Sequence, residues 1–239
     1  MSPAALLSAL APLSPLTLGD PSAKFLCTLI WTFQAVSLVR AATSRPAGSP
    51  FMFVRCVAQA CGGGIFVPLL LNKIPVPLAN DTLMLCLVFM FALHSLVPVV
   101  HDVATGSVPL RLGLTVGWEM FRASAVCASC KLATAAIPAG VFGFPFFGPV
   151  ICGTLAGCGA AFLPLDKGLS AIDGPLPPPV KTGLCAALFF TSYAGAGGGS
   201  AEAEEVGKII VAIFLVVTGV VGKLPSKAKS ELKDGKKKK

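Results

Sequence analysis

Seven long apolar segments, separated by short polar or Pro- and Gly-rich breaks, dominate the sequence. They cover residues 23–39, 52–71, 82–103, 108–132, 146–165, 176–193 and 206–222. A helix needs about 20 apolar residues to cross a bilayer, and inside lipid only helices and closed barrels satisfy all backbone hydrogen bonds. Because barrel strands are about half as long and alternate in polarity, we predict an all-α polytopic membrane protein with seven transmembrane helices.

Charged residues are scarce and unevenly placed. They make up only 13% of the 239 residues, whereas a soluble domain has about 25%. This deficit argues against a soluble enzyme and a nucleic-acid partner, and the sequence has no catalytic triad, zinc spacing or phosphate-binding loop. We therefore expect no enzymatic activity, metal or cofactor, and we interpret the nine cysteines as small packing residues.

The basic residues predict the orientation in the membrane. Eight of the 19 lie at or after Lys223. Because basic residues concentrate on the cytosolic side, we predict one transmembrane domain, residues 1–222, followed by a basic cytosolic tail, residues 223–239. Seven spans then place the N-terminus on the opposite side.

The second and fifth segments share a pattern. The second contains CGGGIFVPL at residues 61–69, and the fifth contains GCGAAFLPL at 157–165. Because three spans separate corresponding positions, the two segments run in opposite directions. We therefore predict an inverted 3+3 repeat, residues 20–105 against 108–194, with an added seventh helix at 206–222.

Glycine and proline weaken both segments as helices. The predicted hinge or kink positions are Gly62, Gly63, Gly64, Pro68, Gly157, Gly159 and Pro164. A broken helix persists in lipid only where it is buried in protein or lines a water-filled cavity, so we expect a substrate or ion pathway between the two segments. The alternative is that these glycines only allow close helix packing.

Three charged residues fall within the predicted spans. Glu119 and Arg122 are three residues apart and share a helical face, so they can pair. Charges at the bilayer centre cost about 2.5–3.5 kcal/mol each, so this pair should face protein or water, either at the pathway or as a purely structural pair. Arg55 lies near a span end and can reach the interface, and we interpret His94 as a hydrogen-bonded packing residue.

Several of these stretches resemble the trimeric intracellular cation (TRIC) channel family. The resemblance covers residues 20–222. TSRP at 43–46, GGG at 62–64, LLL at 69–71 and Pro75 resemble the second span of that family. GCG at 157–159, DG at 173–174, PVKTGL at 179–184 and AALFF at 186–190 resemble its fifth span, the following loop and the start of the sixth.

The resemblance implies a homotrimer with one potassium-permeable pore per protomer, formed around kinked second and fifth helices. It also implies residence in the endoplasmic or sarcoplasmic reticulum, with a lumenal N-terminus, where potassium flux offsets the charge moved by calcium release. A secondary transporter remains the alternative, because inverted repeats with broken helices are also typical of carriers.

Two further features are interpreted through this resemblance. In animal members, a Lys-Glu-Val-x-Arg-x-Lys-Lys pattern in the fourth span helps to hold a phosphoinositide headgroup. Glu119 and Arg122 match it, but Trp118, Ser124 and Ala125 replace the lysines, so Arg122 alone is left as a ligand for an anionic lipid. Lys236 and Lys237 resemble the dilysine signal that retrieves membrane proteins to the endoplasmic reticulum.

Overall fold

A computed structural model describes residues 3–43, 48–163 and 174–223. This part of the chain is helical and contains no strand. Its α-helices are α1 (Pro3–Leu10), α2 (Pro21–Ala41), α3 (Pro50–Leu70), α4 (Val76–Ala79), α5 (Asp81–Leu96), α6 (Val99–Gly106), α7 (Val108–Ala136), α8 (Phe147–Cys158), α9 (Pro178–Ala196) and α10 (Ala201–Lys223). Two 3₁₀ helices, Ala11–Thr17 and Gly159–Phe162, complete the described structure.

Local sequence signals explain where the longer helices begin. The side chains of Asp20 and Asn80 cap α2 and α5 by accepting hydrogen bonds from backbone amides three residues ahead, at 2.7 and 3.0 Å. Proline stands in the first turn of α2, α3, α7 and α9, where its fixed φ fits the helix and its missing N–H costs nothing. These signals fix the helix starts close to the predicted segment boundaries.

Every predicted apolar segment contains helix within its described residues. Three of the described helices, α2, α3 and α10, are each long and apolar enough to cross a membrane. The others are shortened, bent or carry charges within their length, as α7 does with Glu119 and Arg122. The structure thus shows an all-helical, multi-pass membrane protein, while the count of seven spans stays a prediction.

The third segment, predicted as a span over residues 82–103, is not one continuous helix. Helix α5 ends at Leu96, α6 begins at Val99, and the two helices are bent by 100°. Pro98 causes this break because it has no amide proton to donate and because its ring disfavours a helical conformation at Val97. Val97 has ψ of 75°, outside the helical region.

The two glycine-rich segments have different local structures. Helix α3 continues through the glycine triplet and ends at Leu70, two residues after Pro68. Helix α8 instead ends at Cys158, and a 3₁₀ turn follows before Leu163 becomes extended. The predicted break is therefore present in the fifth segment, whereas the second segment is one continuous helix without the break predicted for it.

Helix α7 is central to the packing. It contacts α2 on one side and α8, α9 and α10 on the other. One buried core, which includes Val36 and Leu87, lies in the first half of the chain; a second, which includes Val126, Phe190 and Leu215, lies among α7, α9 and α10. Helix α1 and the first 3₁₀ helix pack against α10, so residues 3–17 are part of the helical fold.

Candidate functional site: a cavity at a glycine crossing

Helix α3 and the end of α8 cross with their backbones in contact. A Cβ atom added to Gly62 would lie 2.5 Å from the amide nitrogen of Ala160, and one added to Gly63 would lie 2.5 Å from the Cα of Ala156. A Cβ on Gly159 would in turn collide with the backbone of Gly63. No side chain fits at this crossing, which explains why three of the predicted hinge positions are glycine.

The remaining predicted hinge positions have other neighbours. A Cβ on Gly64 would meet the side chain of Val76 at 2.9 Å, and one on Gly157 would meet the side chain of Val126 at 3.0 Å. Pro68 is buried near the end of α3, and Pro164 lies outside the described residues. The structure therefore brings Gly62, Gly63 and Gly159 into one contact, and Gly64 and Gly157 lie one and two residues from it along the chain.

A cavity of about 790 Å³ lies beside this crossing. Its walls come from α2, α3, α7, α8, α9 and α10, and most of them are apolar or aromatic. Its polar lining includes Gln34, Gln59, Asn80, Thr115 and Thr182. The charged residues among the described lining are Glu119, Arg122 and Lys223, which amount to one negative and two positive formal charges.

Arg122 joins three helices at the edge of the cavity. Its Nε donates to the carbonyl of Gly157 at 2.7 Å, and its Nη2 donates to the carbonyl of Pro179 at 2.5 Å and to the hydroxyl of Thr182 at 2.9 Å. Its Nη1 donates to Glu119 Oε2 at 3.0 Å. Each guanidinium nitrogen thus has an acceptor in the protein, and the predicted pairing with Glu119 is confirmed.

The acceptor on α8 is a helix-end carbonyl. Gly157 is the second-last residue of α8, and the last four carbonyls of an α-helix have no partner within it. A cation at this end also interacts favourably with the helix dipole. Arg122 therefore caps the broken helix that the glycine pattern predicted.

Glu119 fits against α10 because position 219 has no side chain. A Cβ on Gly219 would lie 2.6 Å from Glu119 Cγ. Glu119 and Arg122 are only 8% and 4% exposed. The charged pair is thus enclosed by α7, α8, α9 and α10.

An aromatic cluster that the sequence analysis missed forms another part of the cavity lining. Trp31 stacks on Trp118 with ring centroids 3.9 Å apart and on Phe121 at 4.8 Å. The indole Nε1 of Trp31 donates to the carbonyl of Ala60 at 2.8 Å, just before the glycine triplet. The signal was available, because Trp118 directly precedes Glu119 and Phe121 directly precedes Arg122 on α7.

Other predicted site residues lie apart from the cavity. Arg55 is half-buried on α3 and is not part of the cavity lining. His94 is hydrogen-bonded to Ser37 Oγ at 2.9 Å and to the Met90 carbonyl at 2.8 Å, which confirms it as a packing residue. Lys236 and Lys237 lie outside the described residues, and the described part contains no group of three His, Cys, Asp or Glu that could hold a metal.

Searches with the sequence matched no protein-family model and no curated protein. Solved structures do match. A trimeric intracellular cation channel from C. elegans, determined in the absence of Ca²⁺, has a TM-score of 0.70 and 19% sequence identity, over 93% of this chain and 97% of that one.

Two further structures are similar. One, of TRIC counter-ion channels in calcium release, has a TM-score of 0.59 and 18% identity over 84% of this chain and 91% of that chain. The other, which concerns conductance through TRIC cation channels, has a TM-score of 0.62 and 14% identity over 87% and 96%. The resemblance seen in the sequence is thus confirmed at the level of the whole fold, and this chain has the fold of the TRIC cation channels.

Proposed function

We propose that the protein is an intracellular channel for monovalent cations, chiefly potassium, with one pore in each protomer of a homotrimer. The fold supports this proposal, because the similar structures are trimeric cation channels. The observation that carries it is the cavity of about 790 Å³ that lies beside the crossing of Gly62 and Gly63 with Gly159. A space between helices that carries polar groups such as Gln34, Asn80 and Thr182 among its apolar walls can admit a hydrated ion, and a backbone contact is a natural place to close it.

The cavity offers a physical means of favouring cations. Helix α8 ends at Cys158, within the cavity lining, and a helix C-terminus carries a partial negative charge. Backbone carbonyls can replace part of the hydration shell of potassium, as they do in selectivity filters. Arg122 offers little repulsion because Glu119 pairs with it.

Single-channel recording in asymmetric potassium chloride tests the proposal. We expect step-like unitary currents that reverse near the equilibrium potential of potassium. Reversal near the chloride potential would contradict cation permeation. Saturable uptake without unitary steps would instead support a secondary transporter.

We further propose that the channel resides in the endoplasmic or sarcoplasmic reticulum, with a lumenal N-terminus and a cytosolic C-terminus. There, potassium flux would offset the charge moved by calcium release; a similar structure is of TRIC counter-ion channels in calcium release. Lys236→Ser with Lys237→Ser tests the location, with Lys238→Ser and Lys239→Ser as the control pair. The first pair should send the protein to later compartments, and unchanged reticular residence would refute retrieval.

A further inference from the structure

We propose that Glu119, Arg122 and Gly219 form a latch through which α10 holds the broken end of α8 against the α3 glycines. The inference rests on the proposed function, because the latch sets the position of the crossing at which the pathway closes. Glu119 and Arg122 are then positioning residues for conduction. Arg122 is not a ligand for an anionic lipid headgroup.

The first step of the argument is the reach of Arg122. Its side chain spans the gap from the carbonyl of Gly157, at the end of α8, to the carbonyl of Pro179, in the first turn of α9. Gly157 is two residues from Gly159, which touches the backbone of Gly63. A displacement of Arg122 would therefore be transmitted to the crossing itself.

The second step connects the latch to α10. Glu119 is held between Arg122 Nη1, at 3.0 Å, and the backbone at Gly219. A methyl group at position 219 would press on Glu119 Cγ from 2.6 Å, a distance at which something must move. Because the Glu119 side chain is the part that can move, α10 can act on the latch through Glu119.

The third step concerns lipid binding. Arg122 is 4% exposed, and each of its nitrogens already donates to a protein acceptor. The carboxylate of Glu119 beside it would repel a phosphate. An anionic headgroup would have to displace several buried hydrogen bonds, and the pattern that could supply other cations holds Trp118, Ser124 and Ala125 instead of lysine.

Two alanine substitutions on α10 test the latch as a matched pair. Gly219→Ala places a methyl group against Glu119, whereas a Cβ at Gly222 meets nothing within 4 Å. Both positions line the cavity and lie one turn apart. Amide hydrogen exchange of the full-length protein in nanodiscs should become about five-fold faster at residues 153–163 in Gly219→Ala, which corresponds to about 1 kcal/mol of local stability. Gly222→Ala should leave that segment unchanged.

Arg122→Lys provides a second variant. It keeps the positive charge, but a lysine cannot hold the carbonyls of α8 and α9 and the carboxylate of Glu119 with a planar fork. It should therefore accelerate exchange in the same segment, while α5 serves as an internal reference. Equal exchange in Gly219→Ala and Gly222→Ala, or wild-type exchange in Arg122→Lys, would overturn the latch.

Unitary current measured on the same preparations separates the latch from the proposed function. We expect the open probability of Gly219→Ala to differ from that of the wild type. Faster exchange in a protein whose wild type carries no current would leave the latch standing and refute the channel. Faster exchange with unaltered gating would refute the positioning role.

Nanodiscs with and without phosphatidylinositol bisphosphate test the lipid part of the proposal. Exchange at residues 116–125 should be the same in both. Protection by the phosphoinositide in the wild type that is lost in Arg122→Lys would show that Arg122 binds the headgroup, and would overturn this part of the inference.

Discussion

Helices α3 and α8 meet at one crossing, yet a different kind of donor holds each of them there. The carbonyl of Ala60 on α3 accepts a hydrogen bond from the neutral indole of Trp31. The carbonyl of Gly157 on α8 accepts one from the charged guanidinium of Arg122. The first helix continues past its acceptor for ten residues, and the second ends one residue after its own.

The comparison shows why charge is placed where it is. A carbonyl inside a continuous helix already accepts a hydrogen bond from the helix itself, so a neutral donor is enough to hold α3 in place. Carbonyls at a broken end have lost those partners, and a cation satisfies them best. Within a membrane that cation needs a counter-charge, and Glu119 supplies it. The buried ion pair therefore marks the break in α8.

Arg122→Met should produce the largest effect. It leaves the Glu119 carboxylate buried without its partner and removes the cap from Gly157. Breaking a buried ion pair in this way costs about 3–5 kcal/mol. The loss should be visible as a marked fall in the thermal unfolding temperature of the purified protein in detergent. A melting temperature like that of the wild type would show that the bonds from Arg122 to Glu119 and Gly157 contribute little to stability.

The double variant Arg122→Met with Glu119→Leu sharpens the same point. Replacing a whole buried ion pair by apolar residues is often neutral or stabilising, so much of the lost thermal stability should return. The current should not recover, because Gly157 remains uncapped. Recovery of both thermal stability and current would mean that Glu119 and Arg122 only neutralise each other's charge.

Gly63→Ala should come next in size. Its methyl group would meet the backbone of Ala156 at 2.5 Å, so α3 and α8 must separate, and such overpacking costs about 1–3 kcal/mol. Unitary conductance and thermal stability should both change. Gly113→Ala is the control, because a Cβ there meets nothing within 4 Å and alanine favours the helix. Similar behaviour of the two variants would contradict the backbone crossing.

Trp31→Phe tests the neutral hydrogen bond from Trp31 to α3 and should lower the free energy of unfolding less than Arg122→Met does. Phenylalanine keeps an aromatic ring next to Trp118 and Phe121 but donates no hydrogen bond to Ala60. The expected loss is about 0.5–1.5 kcal/mol, the net value of a neutral hydrogen bond, measured by thermal unfolding. Trp118→Phe is the control, since it reduces the stack and leaves the Ala60 bond in place. A loss of stability as large as that of Arg122→Met would contradict the distinction between the neutral donor to α3 and the charged donor to α8.

Lys223→Ala should have the smallest effect, confined to permeation. Lys223 is exposed at the end of α10 and lines the cavity, where its charge disfavours cations. Its removal should raise potassium conductance at low ionic strength, and the gain should shrink at high salt. A lower potassium conductance would contradict the electrostatic account of the cavity.

Sequence reasoning located the helices well, and three of the glycines that it singled out meet at the crossing. The apolar segments coincide with helices because proline and capping residues such as Asp20 and Asn80 fix their starts. Glu119 and Arg122 were correctly paired because their spacing of three residues is a local property of any helix.

Features that depend on tertiary contacts were not predicted. Pro179 and Thr182 are distant from Arg122 in the chain, and no local pattern marks them as its acceptors.

The bend at Pro98 was overlooked because the hydrophobic pattern continues across it. The structural difference between the two glycine-rich segments was also not predicted, because similar sequences form a continuous helix in α3 and a broken helix in α8.

The contact of Gly62 and Gly63 with Gly159 has a consequence for how fast such a passage could respond. An ion pathway that closes at this crossing would have its aperture set by peptide groups, which have no rotamers to flip on a nanosecond timescale. Any widening demands the displacement of an entire helix, a collective motion of microseconds to milliseconds. Transitions at this point should accordingly be abrupt and all-or-none.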